Sequence, residues 1–298
     1  TQFEDSLTKL NVTRPDTICR ATDHIPEQIA LIQKIIKKGM AYETRKGIVF
    51  DTSRFPAYAQ FAGLKLDKLQ KRGDVATDPD KRKPWDFFLW VKDPKHIMHW
   101  DSPWGVGYPG WHIECTAMST KYLGDHFDIH TGGIDHIPVH HTNEIAQGYA
   151  AFGRSTANYW LHNAMLLGKG DEKMSKSLGN FITVQELVGQ GIDPLALRYL
   201  FLTSHYRKGL NFTQAALSAA QNALANLRSL VGSLKSTQRS TLSAEKLGKA
   251  DEFRRQFTQA VSDDINTPQA LATLWEMLKS NIPSADKFDL GLSFDEVL

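Results

Sequence analysis

Between Trp85 and Thr203, short apolar runs, glycine-bearing loops and helical stripes succeed one another, and this alternation limits the possible folds more than any single residue does. The aromatic run at 85–91 reads as a buried strand. Residues 104–111, with Gly105, Gly107 and Gly110, form a loop that feeds a helix over about 112–123, stopped at Gly124. A short strand at 127–130, a turn at Gly132 and Gly133, and a helix over roughly 140–152 follow. A further strand is predicted at 159–167, with helices near 183–188 and 194–203. Strand, loop and helix in this order are what a parallel α/β sheet produces, with ligand loops at the carboxyl ends of its strands.

On either side of this region the pattern changes. Ile25, Ile29, Ile32 and Ile36 make a helical stripe that ends in Lys37, Lys38 and Gly39, and the segments 41–44 and 48–51 flank a turn as a hairpin. From 213 to 234 the chain is rich in Ala and Leu at helical spacing, 235–243 is a polar linker, and 251–280 is helical with an interruption at Asn266 to Pro268. The expected organisation is an α/β core over 1–209 and a helical domain over 210–298. A length of 298 residues suits about two domains. The two cysteines, Cys19 and Cys115, exclude a disulfide framework and favour a reducing compartment, the cytoplasm. No apolar run reaches the ~20 residues of a membrane span, and a net charge of +2 neither requires nor excludes a nucleic-acid partner. Because it opens at Thr1, the sequence is expected to start partway through a longer protein.

Two segments carry chemistry. Lys173-Met174-Ser175-Lys176-Ser177, flanked by Gly168, Gly170 and Gly179, offers ammonium and hydroxyl groups on a backbone able to approach a polyphosphate. Donors of that kind stabilise charge that builds up during phosphoryl or nucleotidyl transfer. A Lys/Ser turn can also be mere solvated surface. The second segment joins Cys115 to His130, Gly133, Asp135, His140 and Glu144. At a spacing of i and i+4 on a helix, His140 and Glu144 point the same way, as two zinc ligands must, and Cys115 can supply a thiolate. The competing reading makes Cys115 a small buried hydrophobe and the histidines core or solvated groups. Trp111, following Gly107, Pro109 and Gly110, is either a core plug or a wall that stacks on a ring.

The run Gly110 to Cys115, the segments 127–130, 132–135, 140–147 and 173–180, and Asp263 to Pro268 together resemble the cysteinyl-tRNA synthetase family of class I aminoacyl-tRNA synthetases. The resemblance implies a Rossmann-like catalytic core followed by a helical bundle that begins the tRNA-binding part. It implies ATP with Mg, L-cysteine and tRNA(Cys) as substrates, and a monomer. Lys176 would contact ATP, with Lys173 and Ser175 in the same loop. Cys115, His140 and Glu144 would hold a zinc ion that takes the substrate thiolate, and Trp111, His112, His130, Gly133 and Asp135 fall in the stretches that form the adenylate pocket. Three features depart from the family. Its HIGH motif and the preceding cysteine that completes the zinc site are absent, Thr142 replaces a usual glutamate, and Ile137-Pro138-Val139 is unlike the common sequence. The chain is therefore expected to lack an N-terminal half-core and an anticodon-reading tail, and to be inactive alone. A cysteine:amino-sugar ligase of the same superfamily and a non-catalytic RNA-binding or regulatory fragment remain open alternatives.

Overall fold

The computed structural model describes residues 1–63, 79–168, 174, 182–235 and 241–298. Two compact units are present, one made of residues 15–162 and the other of 1–14 with 163–298.

In the latter unit the chain opens with helix α1 (Gln2–Lys9), whose first turn is closed by a reciprocal cap between Thr1 and Glu4. The 15–162 unit begins with α2 (Ile25–Lys37), where Pro26 occupies the first turn and Leu31, Ile32 and Ile35 are buried. Strands β1 (Ala41–Thr44) and β2 (Gly47–Phe50) form the expected antiparallel hairpin. β3 (Phe87–Lys92) and β4 (Gly107–Pro109) extend it to a four-stranded antiparallel sheet in the order β1-β2-β3-β4. Phe50, Leu89 and Trp90 from this sheet close on Ile32 and Ile35, all fully buried. Side chains of this kind contribute about 1.5–3 kcal/mol each on burial.

Next come α3 (Trp111–Leu123), β5 (Phe127–Gly133), a 3₁₀ turn (Ile134–His136), a π turn (Ile137–His141), α4 (Thr142–Phe152) and β6 (Ala157–Asn163), which pairs with β5. The helix expected over 140–152 thus enters through a wider π turn. The strand expected over 159–167 is two strands, β6 and β7 (Leu166–Leu167). They are separated at Ala164, whose amide turns away to donate to the Tyr206 carbonyl at 2.7 Å.

In the second unit β7 pairs in parallel with β8 (Leu210–Asn211). Helices α5 (Val184–Gly189), α6 (Pro194–Leu202), α7 (Gln214–Ser233), α8 (Ala244–Ser262), α9 (Thr267–Lys279) and α10 (Ser284–Asp295) complete it. The second core is built from Leu197, Leu200, Leu217, Phe257, Leu274, Met277 and Phe294, with Phe257 stacked on Phe294 at 3.9 Å. The helix expected from 251 starts at Ala244, where the Ser243 hydroxyl accepts the Lys246 amide. Its end is a corner at which Asp264 and Ile265 take φ of 54° and 55°. The α/β class is as expected. Among the described strands β7 and β8 pair in parallel, and the four-stranded sheet is antiparallel throughout.

Candidate metal and substrate site

The site lies within the 15–162 unit, and Gly110 sets where its first helix begins. The Gly110 amide donates to the Leu89 carbonyl at 2.9 Å, and a Cβ there would fall 2.0 Å from the Phe88 carbonyl oxygen. A residue without a side chain lets α3 start this close to β3, which brings His112 and Cys115 beside α4. The second helix enters through the π turn. On a regular α-helix adjacent side chains diverge by about 100°, whereas here His140 and His141 are both buried and each joins a ligand group with Glu144.

The Cys115 Sγ, one nitrogen of His140 and one oxygen of Glu144 lie within 4.8 Å of one another. His140 Nε2 stands 3.1 Å from Glu144 Oε1, and its Nδ1 forms a 2.9 Å hydrogen bond with His112 Nδ1. One of these two nitrogens donates and the other accepts. Glu144 is 1% exposed, and neither of its oxygens receives a hydrogen bond. The nearby nitrogens of His140 and of His130, the latter at 3.5 Å, are within ion-pair distance of Oε1 but not aligned to donate to it. A buried carboxylate left this way costs free energy unless a cation completes its surroundings. Beneath it Gln147 accepts the Thr116 hydroxyl at 2.6 Å, while its amide nitrogen is buried without a partner.

Burial governs the proton affinities. It pushes His112 and His141 down to about 3, with neighbouring histidines adding to the effect, so both are neutral near pH 7. It also lowers His130, against the opposing pull of Glu144. Burial, followed by the Glu144 and Glu114 carboxylates, pushes the Cys115 thiol up to about 12. A bound cation reverses that last effect, because a ligating thiol is deprotonated. Thiol, imidazole and carboxylate are a zinc-type donor set, and three protein ligands with an open position suit a site that receives a further ligand.

Trp111 is 67% exposed, with its ring edge toward His140 at 5.1 Å and its face along His112. His130 stacks on Trp160 at 4.4 Å. Gly133 ends β5, where a Cβ would meet Asp135 Oδ1 at 2.4 Å, and Asp135 itself is exposed on the 3₁₀ turn. Lys173, Ser175 and Lys176 lie outside the described residues. Sequence reasoning overlooked Trp160 and His162, which share one face of β6 and both pack on the His141 ring, at 4.9 and 4.8 Å. Their two-residue spacing on a strand was the available signal.

Comparison with known proteins agrees with these features. The family model described as "tRNA synthetases class I (C) catalytic domain" matches residues 1–222, and the model of the DALR domain matches residues 256–281. Similar curated proteins named Cysteine--tRNA ligase come from Burkholderia lata (48% identical, covering 97% of this chain and 60% of that protein), Chlorobaculum tepidum (45%; 96% and 58%) and Treponema denticola (41%; 99% and 64%). The chain therefore spans about 60% of the length of these relatives. Among solved structures, Mycobacterium tuberculosis methionyl-tRNA synthetase in complex with methionyl-adenylate has the same fold at 16% identity, with a TM-score of 0.65 over 98% of this chain and 73% of that one. With the catalytic-domain model running through residues 1–222, the chain belongs to the class I (C) tRNA synthetase family.

Proposed function

We propose that the protein carrying this chain is a cysteine–tRNA ligase. The cysteine carboxylate attacks the α-phosphate of ATP and pyrophosphate leaves; a terminal ribose hydroxyl of tRNA(Cys) then attacks the carbonyl of the adenylate, forming the cysteinyl ester and releasing AMP. One observation carries this reading: the buried, donor-free Glu144 meets Cys115 and His140 within ligand reach of a single cation. The relatives named Cysteine--tRNA ligase support it.

In this reading Cys115, His140 and Glu144 hold zinc. A zinc ion there supplies a position that takes a thiolate far better than a hydroxyl, which separates cysteine from serine more sharply than their small volume difference could. His112 fixes the His140 ring through the Nδ1 pair. Such outer hydrogen bonds orient metal ligands. Trp111, His130, Gly133 and Asp135 line the amino-acid and adenylate pocket. Lys173, Ser175 and Lys176 stabilise charge on the phosphates of ATP, which enters with Mg. Residues 1–209 serve as the catalytic core and 210–298 as the start of the tRNA-binding bundle, in a cytoplasmic monomer. No helix of the described residues is long and apolar enough to cross a membrane.

The test is ATP–pyrophosphate exchange with each amino acid, together with tRNA charging, by the protein that carries this chain. Exchange that depends on cysteine and charging of tRNA(Cys) are expected. Exchange driven by another amino acid would refute the reading, and cysteine-dependent exchange without charging would point to a different acceptor.

A further inference from the structure

Glu144 belongs to two ligand groups rather than one. Besides Cys115 and His140, it stands with His130 and His141, and these three ligand atoms also lie within 4.8 Å of one another. The three residues come from separate elements: β5, the π turn and the first turn of α4. They converge because the π turn swings His141 toward the carboxylate and because position 132 is glycine. A Cβ on Gly132 would sit 2.6 Å from the Cε1 of His141 and 2.8 Å from the Nδ1 of His136, so a larger residue would displace the rings.

The surroundings are those of a built site. His141 Nδ1 is hydrogen-bonded to His162 Nε2 at 2.7 Å, the kind of outer bond that orients a ligating imidazole. His130 is held flat against Trp160. Glu144 has two buried oxygens, neither bonded to a donor, and a carboxylate has lone pairs enough for two cations.

We infer that His130, His141 and Glu144 form a second cation position, distinct from the thiolate position and sharing Glu144 with it, which takes a first-row divalent transition metal on two nitrogens and an oxygen. Two imidazoles and a carboxylate are a donor set that zinc enzymes use with an open fourth position. With no sulfur present, the position favours Zn²⁺, Co²⁺ or Ni²⁺ over softer ions. The inference does not depend on the chain activating cysteine.

The experiment titrates the 298-residue chain with Co²⁺ itself, following its visible absorption in wild type, in Cys115→Ser and in Cys115→Ser combined with His130→Phe. Phenylalanine keeps the ring against Trp160 but removes the nitrogens. Cys115→Ser should still bind one Co²⁺, with a nitrogen/oxygen spectrum and no thiolate charge-transfer band. Adding His130→Phe should weaken that binding at least tenfold. Absence of stoichiometric Co²⁺ in Cys115→Ser, or unchanged affinity on adding His130→Phe, would overturn the inference. Should the double variant fail to fold, paramagnetic shifts of the His130 and His141 ring protons in Co²⁺-loaded Cys115→Ser decide: shifted signals support the site and unshifted ones refute it. A wild-type chain that holds the nitrogen/oxygen cation but shows no thiolate band would support this position while counting against the one at Cys115.

Discussion

Replacing Glu144 by glutamine should make the metal-free protein more stable. The native side chain is 1% exposed, and both its oxygens lack a hydrogen-bond donor. A buried polar group left unsatisfied costs about 1–3 kcal/mol, and more when charged. Glutamine keeps the volume and removes the charge, replacing an uncompensated buried carboxylate by a neutral amide. The expected gain is about 1–3 kcal/mol, or about 2–12 °C at about 2–4 °C per kcal/mol for a unit of this size. Thermal unfolding in a chelator, followed by tryptophan fluorescence, reads it out. Six of the seven tryptophans lie in the 15–162 unit, so the signal reports on that unit. Zinc at a hundredfold excess over its dissociation constant should then stabilise the wild type by about 2.7 kcal/mol, and Glu144→Gln by far less. A lower melting temperature for Glu144→Gln in chelator, or equal zinc stabilisation of both proteins, would refute the argument that Glu144 is kept for a cation at the expense of stability.

Other perturbations test the scaffold and the loop. Gly110→Ala should destabilise the 15–162 unit by about 1–3 kcal/mol or more, since its Cβ would lie 2.0 Å from a strand carbonyl; an unchanged urea midpoint would show that α3 can start elsewhere. Burial pushes the Asp51 carboxyl up, but hydrogen bonds from Ser53 and Arg82 outweigh it and hold the carboxyl below its usual range. Its contribution is therefore complete above about pH 4 and lost as pH falls through the depressed value, so urea midpoints of Asp51→Asn should depend less on pH in that window than those of wild type. Ile265→Asn should be neutral or stabilising by up to about 1 kcal/mol, because a left-handed backbone penalises a β-branched residue by about 1–2 kcal/mol; a clear loss would mean that its side-chain contacts outweigh the backbone strain. Lys176→Ala should slow adenylate formation about 10²–10³-fold with a smaller change in ATP binding, and equal losses in both would assign it a plain binding role.

The sequence made some of this legible for identifiable reasons. The stripe through Ile25, Ile32 and Ile36 and the turn at Arg45 to Gly47 carry local periodicity, and α2 and the β1–β2 hairpin follow it closely. The i, i+4 relation of His140 and Glu144 lies within one turn of helix, so their shared direction could be read without a structure. His141 could not. Its approach to Glu144 depends on the π turn and on the space above Gly132, where β5 meets the His136 and His141 rings, rather than on local propensity. The break between β6 and β7 was hidden for a similar reason, since Ala164 leaves the strand to bond Tyr206 some forty residues on. The early start of α8 did have a local signal in the Ser243 cap, which the polar composition of the linker obscured.

The central claim is that a cation held by Cys115, His140 and Glu144 distinguishes cysteine from serine. Calorimetric titration of L-cysteine and of L-serine into the protein carrying this chain tests it most directly, comparing zinc-loaded wild type, chelator-stripped wild type and Cys115→Ser. Cysteine is expected to bind the zinc-loaded wild type at least a hundredfold more tightly than serine, and this preference to collapse on stripping or on Cys115→Ser. An undiminished preference for cysteine in the stripped protein would contradict it.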